Sequence, residues 1–303
     1  MAGNHGSSTK AILYAFLANL GIALTKSAAA TYTNSGSMLA EAIHSYADCT
    51  NQMLLFLGLR QSEKAPTRVH PLGYGKVTYF WSFIVALLLF SVGGLFSIYE
   101  GWHKLHAPEP LNKVWVALVV LAIAIVLESA SLLGALNEIR KIRRGRPFME
   151  WFRHTRSAEF VVVLGEDIAA LAGLVIAFGF LSMAAVTGDT RWDAAGSISI
   201  GIVLIVVAVF LAGRISMLLI GKSAEPQLER MLKECVERDP AIEALLNTIT
   251  LQFGSKVMLA IKVRMQSGLT IDAAVDRINE LERQIKEAHP EVGWCFVEPD
   301  VTD

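Results

Sequence analysis

The chain has 303 residues, of which 53% are hydrophobic and only 18% charged, and its formal net charge is −1. A soluble domain carries about 25% charged residues, so an ordinary water-soluble enzyme is excluded, and a charge this close to zero gives no basic footprint for nucleic acid. Cys49, Cys235 and Cys295 are scattered and odd in number, which excludes a disulfide framework or a CxxC metal or redox pair.

In chain order, the start MAGNHGSSTK is short and weakly charged. The apolar run that follows, 11–32, is too long for the core of a signal peptide and is read as a retained membrane span. Runs of about 20 apolar residues mark membrane helices, and six are expected, over 11–32, 36–59, 77–101, 113–137, 158–183 and 193–220. The third and fourth are nearly pure hydrocarbon, whereas the second and fifth carry polar residues and are expected to score poorly on hydropathy alone. The fold class is therefore an all-α membrane bundle of six transmembrane helices. An even number of spans puts both termini on one side. The loop after span two holds Arg60, Lys64, Arg68 and Lys76, and the loop after span four holds Arg140, Lys141, Arg143, Arg144, Arg146, Arg153 and Arg156. The opposite loops hold only Lys104, Lys113 and Arg191. Basic loops stay in the cytoplasm, so both termini are expected there, and the lack of a transit peptide favours a bacterial inner membrane over an organelle.

After Gly221 the composition becomes that of a small soluble domain. Pro226–Arg238 reads as a helix, Asn247–Phe253 and Val257–Met265 as a hairpin across Gly254-Ser255, and Val292–Val297 as a last strand. Between them Thr270–His289 carries Ile271, Ala274, Val275, Ile278, Leu281 and Ile285 at helical spacing. The order αββαβ suggests a small α+β domain with its helices on one sheet face. The expected division is 1–222 for the membrane domain and 223–303 for the tail.

Span two contains Glu41, His44, Asp48, Asn51 and Gln52 at intervals that form one polar stripe. Residues four apart share a helix face, and an ionisable side chain at bilayer depth costs roughly 2.5 kcal/mol or more. A stripe of them must face another helix or water. His44 and Asp48 can hold one cation together, and imidazole with carboxylate suits zinc or a similar divalent metal. In span five Glu166 and Asp167 are adjacent, about 100° apart around the helix, so one of them dominates any given face. Glu128 lies well inside span four. Each has a plainer reading. For Glu41 with Lys26 of span one, an interhelical ion pair without transport chemistry is preferred. For Glu128, a structural hydrogen bond and proton handling stand level, and Glu166 is open in the same way. Ligation is preferred for His44, Asp48 and Asp167, while Asn51 reads as part of a wet path.

These segments resemble the cation diffusion facilitator family. SGSMLAEAIHSYADCTNQ, residues 35–52, is similar to its second helix, HPLGYGK at 70–76 to the start of its third, and DAAGSISIGIVLI from Asp193 to its sixth. The tail resembles its cytoplasmic metallochaperone-like, ferredoxin-like domain. The resemblance implies a tetrahedral site with two ligands from helix two and two from helix five. His44, Asp48 and Asp167 fall on three of these positions, and the fourth falls on Val163, which cannot ligate. The pattern EDxAALxG at Glu166–Gly173 is similar to the branch containing zinc transporter nine, with Glu166, a carbonyl or water filling the gap. Arg68 and Tyr74 replace ligands of one auxiliary site, and His289 stands alone in the tail. The resemblance also implies a homodimer joined through the tails, where Trp294 and Phe296 fit either a partner face or the domain's own core.

The function implied is efflux of a divalent metal, zinc first with manganese or iron open, by proton antiport and alternating access. Metal ligands must be deprotonated, so protons and metal compete for the same atoms. No prosthetic group is expected. Glu128, Glu41 and Asn51 are the expected proton-handling or supporting residues. Two other readings remain: a membrane metalloenzyme, for which no HExxH-type signature is present, and a non-transporting metal sensor or scaffold.

Overall fold

A computed structural model describes residues 5–107, 110–111, 113–143 and 145–302, with the side chains of the first helix from Asn19 onward. Six long helices open the chain: α1 (His5–Thr33), α2 (Gly36–Ser62), α3 (Val77–His106), α4 (Val114–Ile142), α5 (Ala158–Thr187) and α6 (Arg191–Ile220). Among the described residues four of them, α3 to α6, are long and apolar enough to cross a membrane. The expectation that the fifth would score poorly is corrected. Glu166 and Asp167 sit in a helix whose other residues are hydrocarbon-rich enough to outweigh them, whereas the stripe of α2 dilutes every window.

By contacts the chain forms two compact units, the first comprising Met1–Gly58, Trp81–Gly145 and Glu159–Arg214. In this unit α1 and α2 meet at Asn34, a non-glycine residue at φ 58°. Asp193 at the start of α6 holds that corner. Its carboxylate accepts from Ser35 Oγ at 2.6 Å and from the backbone N–H groups of Gly36 at 2.6 Å and Ser37 at 3.2 Å. Ser37 Oγ donates back to the Asp193 carbonyl at 2.8 Å. The first N–H groups of a helix have no partner within the helix and favour negative charge, so a buried aspartate from a distant helix serves as their acceptor. Lys104 of α3 adds a bond to the Asn34 carbonyl.

The middle of α3, Leu89–Leu95, is π-helical. The wider turn sets Gly94 against α6 so closely that a Cβ there would lie 2.5 Å from Ile205 Cγ1, and one on Gly201 would lie 2.6 Å from the Gly94 carbonyl oxygen. In lipid, where helices gain little from hydrophobic exclusion, such close backbone approach is a main source of packing energy.

The second unit comprises Leu59–Phe80, Arg146–Ala158 and Ile215–Asp303. Its sheet has the order β1 (Ile242–Phe253), β2 (Lys256–Met265), β3 (Val292–Pro299), with β1 and β2 antiparallel and β2 and β3 parallel. Helices α7 (Pro226–Glu237) and α8 (Ile271–Ala288) complete the expected αββαβ order. Leu232 and Val236 of α7 and Leu281 and Ile285 of α8 pack on Leu259, Ile261 and Val263 of β2, which places both helices on one face. Cys295 lies in that core, and burial pushes its thiol up to about 12. In the folded chain it should therefore resist alkylation at pH 8, since the thiolate is the reactive form. Rapid modification of Cys295, read by peptide mass spectrometry on native protein, would contradict its placement.

The two basic loops pack with the tail. Tyr79 donates to the Gly254 carbonyl at 3.2 Å, and Lys76 donates to the Leu219 carbonyl at 3.3 Å while lying 5.6 Å over the Phe253 ring. Arg156 donates to the carbonyls of Ser223, His154 and Ala224 at 2.7, 2.8 and 3.2 Å. Arg146 pairs with Glu225 at 2.9 Å. Between them a short helix, Phe148–His154, buries Trp151.

Candidate metal centre

The stripe on α2 faces inward. Glu41, His44 and Asn51 are wholly buried, and Asp48 borders a cavity of about 100 Å³ within the first unit. Four helices line that cavity: Asn19 and Ile22 of α1, Ser45, Asp48 and Gln52 of α2, Leu127, Glu128 and Ser131 of α4, and Val163, Glu166, Asp167 and Ala170 of α5. Thus Asp48, Glu128, Glu166 and Asp167 come together around one space. The adjacent carboxylates of α5 both border it, although their separation of about 100° implied that one of them would dominate any given face. Glu166 leans toward α2, where Asn51 Nδ2 donates to its Oε1 at 2.6 Å.

His44 does not line the cavity but abuts it through Asp48, with Nε2 3.7 Å from Asp48 Oδ2. Neither ring nitrogen of His44 has a hydrogen-bond partner among the described residues. Asp48 Oδ1, Asp167 Oδ2 and Asn51 Oδ1 are buried and unpartnered in the same way. Buried polar atoms are almost always satisfied, so this concentration of orphans on ligand-type side chains suits a site built for a cation. Among the described residues no three His, Cys, Asp or Glu side chains converge closely enough to hold a metal ion as they stand.

Glu41 is engaged elsewhere. Lys26 Nζ lies 3.2 Å from its Oε2 and donates to Ser45 Oγ at 2.8 Å, with both charged side chains essentially inaccessible. This is the interhelical pair that the shared depth of Lys26 and Glu41 suggested. Ser45 was missed as a link, although its position one residue after His44 places it between the pair and the cavity. Ser131 and Asn19 were missed too. The signals were local: Ser131 follows Glu128 by three, and Asn19, Ile22 and Lys26 share one face of α1.

Apolar helices around a cavity lined by acids, followed by an αββαβ domain, define an integral membrane protein with a polar interior. Residues 12–218 match the model of the cation efflux transmembrane domain, and the chain belongs to the cation efflux family. It is 37% identical over 84% of its length to the proton-coupled zinc antiporter SLC30A9, mitochondrial, of Xenopus laevis, and covers 45% of that protein. Metal tolerance protein C4 of Arabidopsis thaliana is 34% identical over 70% of the chain, with 47% of its own length covered. Zinc transporter ZitB of Pectobacterium atrosepticum is 23% identical over 92% of the chain and is 84% covered. The chain spans about half the length of the first two relatives.

Proposed function

We propose that the chain moves a divalent metal cation across a membrane in exchange for protons, with His44, Asp48, Asp167 and Glu166 as the ligand set. The observation that carries this reading is the pair of buried, unpartnered oxygen atoms on Asp48 and Asp167 at one cavity, with the unbonded imidazole of His44 directly behind Asp48. The names of two relatives add support, one a proton-coupled zinc antiporter and one a zinc transporter. Zinc is therefore the first substrate to test, with manganese and iron next. A transporter is preferred to a metalloenzyme because the acids face a space inside the helical bundle.

A dication with a neutral imidazole, two ionised carboxylates and the third carboxyl protonated is charge-balanced, and so is the metal-free site with all three protonated. A bare dianionic site in a low-dielectric setting is penalised. Metal and protons thus carry the site between facing states in alternation, by rocking of packed helices around it. We place 1–222 as the transport domain, the tail 223–303 and the basic loops on the cytoplasmic side, and two copies in a homodimer. The membrane is a bacterial inner membrane or that of an organelle, as ZitB and the mitochondrial antiporter respectively suggest.

The test is flux in proteoliposomes under an imposed pH gradient, comparing zinc, manganese, iron and cobalt. Saturable, gradient-dependent uptake of at least one supports the proposal; binding without flux for all four favours the sensor reading. Val163 lines the cavity at the position where the family resemblance expects a ligand. Val163→His should raise the zinc-to-manganese flux ratio roughly tenfold, since imidazole prefers zinc. An unchanged ratio counts against a site on this face of α5.

A further inference from the structure

We infer that Glu128 of α4 is itself a cation-binding carboxylate, so that a third helix adds an oxygen ligand to those of α2 and α5. The inference rests on the transport reading and concerns its ligand set. Glu128 stands in a helix whose neighbouring residues face outward, Ile123 and Val126 being 57% and 68% exposed. A carboxylate in such a span costs a few kcal/mol on insertion and is retained where it has a task. A structural hydrogen bond does not account for it, since among the described residues Glu128 has no hydrogen-bond or ion-pair partner. Lys26, a buried cation of the first unit, is already held by Glu41 and Ser45.

A cluster of acids alone would say little, but a second observation points to a ligand. His44 is 0% exposed, has both ring nitrogens unbonded, and turns Nε2 toward Asp48 Oδ2 at the cavity's edge. The imidazole thus stands directly behind Asp48, and Asp48 Oδ1 and Asp167 Oδ2, buried and unbonded, border the same space as Glu128. The size of the space agrees. About 100 Å³ exceeds what a bare ion needs and leaves room for a cation that keeps part of its water. A partly hydrated ion held by several carboxylates and one imidazole is a setting in which manganese competes with zinc.

The test is calorimetric titration of the purified chain, residues 1–303, with Zn²⁺ and with Mn²⁺. Glu128→Gln keeps the shape of the side chain and removes its charge, and it should weaken both affinities by about tenfold or more, at least the loss seen for supporting groups around metal sites. Adding Val163→His to Glu128→Gln should restore zinc binding and leave manganese weak. Wild-type affinity for both metals in Glu128→Gln overturns the inference. If Glu128→Gln fails to fold, as judged by metal-free thermal melting, Glu128→Asp replaces it: a changed Mn²⁺-to-Zn²⁺ affinity ratio supports the inference and an unchanged one overturns it. Binding lost in Asp48→Asn but intact in Glu128→Gln removes this inference alone. Wild-type protein that binds neither metal removes the transport reading as well.

Discussion

Asp48→Ala and Asp167→Ala should each reduce pH-gradient-driven metal flux in proteoliposomes to that of protein-free vesicles, a loss of about 100-fold or more. The reasoning starts from what each carboxylate does. Both line the same cavity from different helices, and each keeps one buried oxygen without a protein partner. Alanine removes a charge that the incoming dication requires and a group that must take up a proton on the return step, so binding and coupling fail together. Folding should survive, because among the described residues neither aspartate bonds to another helix, and the 3.7 Å approach of Asp48 to His44 lies within α2. Removing a lone buried acid relieves desolvation rather than adding to it. Size-exclusion profile and melting temperature check the fold, and tracer uptake checks the flux. Undiminished uptake by either variant, at equal reconstituted protein, removes the assignment of the site.

Lys26→Met should lower unfolding stability by about 3–5 kcal/mol, the usual cost of stripping one partner from a buried ion pair. Lys26 and Glu41 are 1% and 0% exposed, and Glu41 Oε1 already lacks a partner. Without the ammonium, both oxygens of Glu41 are orphaned against α5, where Gly173 leaves them room: a Cβ on that glycine would lie 2.4 Å from Oε1. Lys26→Met with Glu41→Met should recover most of the loss, since replacing a whole buried pair by apolar groups is often close to neutral. Denaturant titration of the detergent-solubilised protein compares the three. A single variant as stable as the wild type would show that the pair contributes little to the bundle. Recovery of stability in the double variant together with normal flux would confine Lys26 and Glu41 to a structural role.

The sequence carried the helices and the tail topology because each rests on a local pattern. The polar residues of α2 recur every three or four positions, and β2 alternates so strictly that Val257, Leu259, Ile261 and Val263 are all buried. What escaped is long-range. β1 begins at Ile242, five residues before the expected Asn247, because register irregularities between Ile242 and Ala244 and between Leu245 and Asn247 break the alternation a reader looks for. The π-helical stretch of α3 has no period of its own in an apolar run. Arg146 and Arg156 read only as side-determining charges, yet they hold the loop to the carbonyls and acid of residues 223–225, an arrangement no spacing rule announces. For the centre, the ligand types were legible and the part of α4 was not: nothing in that helix alone says that Glu128 borders one cavity with Asp48, since that depends on how α1, α2, α4 and α5 close on one another.

The knot at Asp193 bears on how the protein can move. Four bonds tie the first residues of α2 to the head of α6, two of them to backbone amides that have no other acceptor within their helix. A tether at one tip forbids sliding of α2 along its neighbour but permits a swing about that tip. Displacement then grows with distance from the fulcrum, and Asp48, roughly 18 Å down the axis at 1.5 Å per residue, would sweep a far longer arc than Ser37. The same leverage makes the far end of α2 the place to attach a spectroscopic probe.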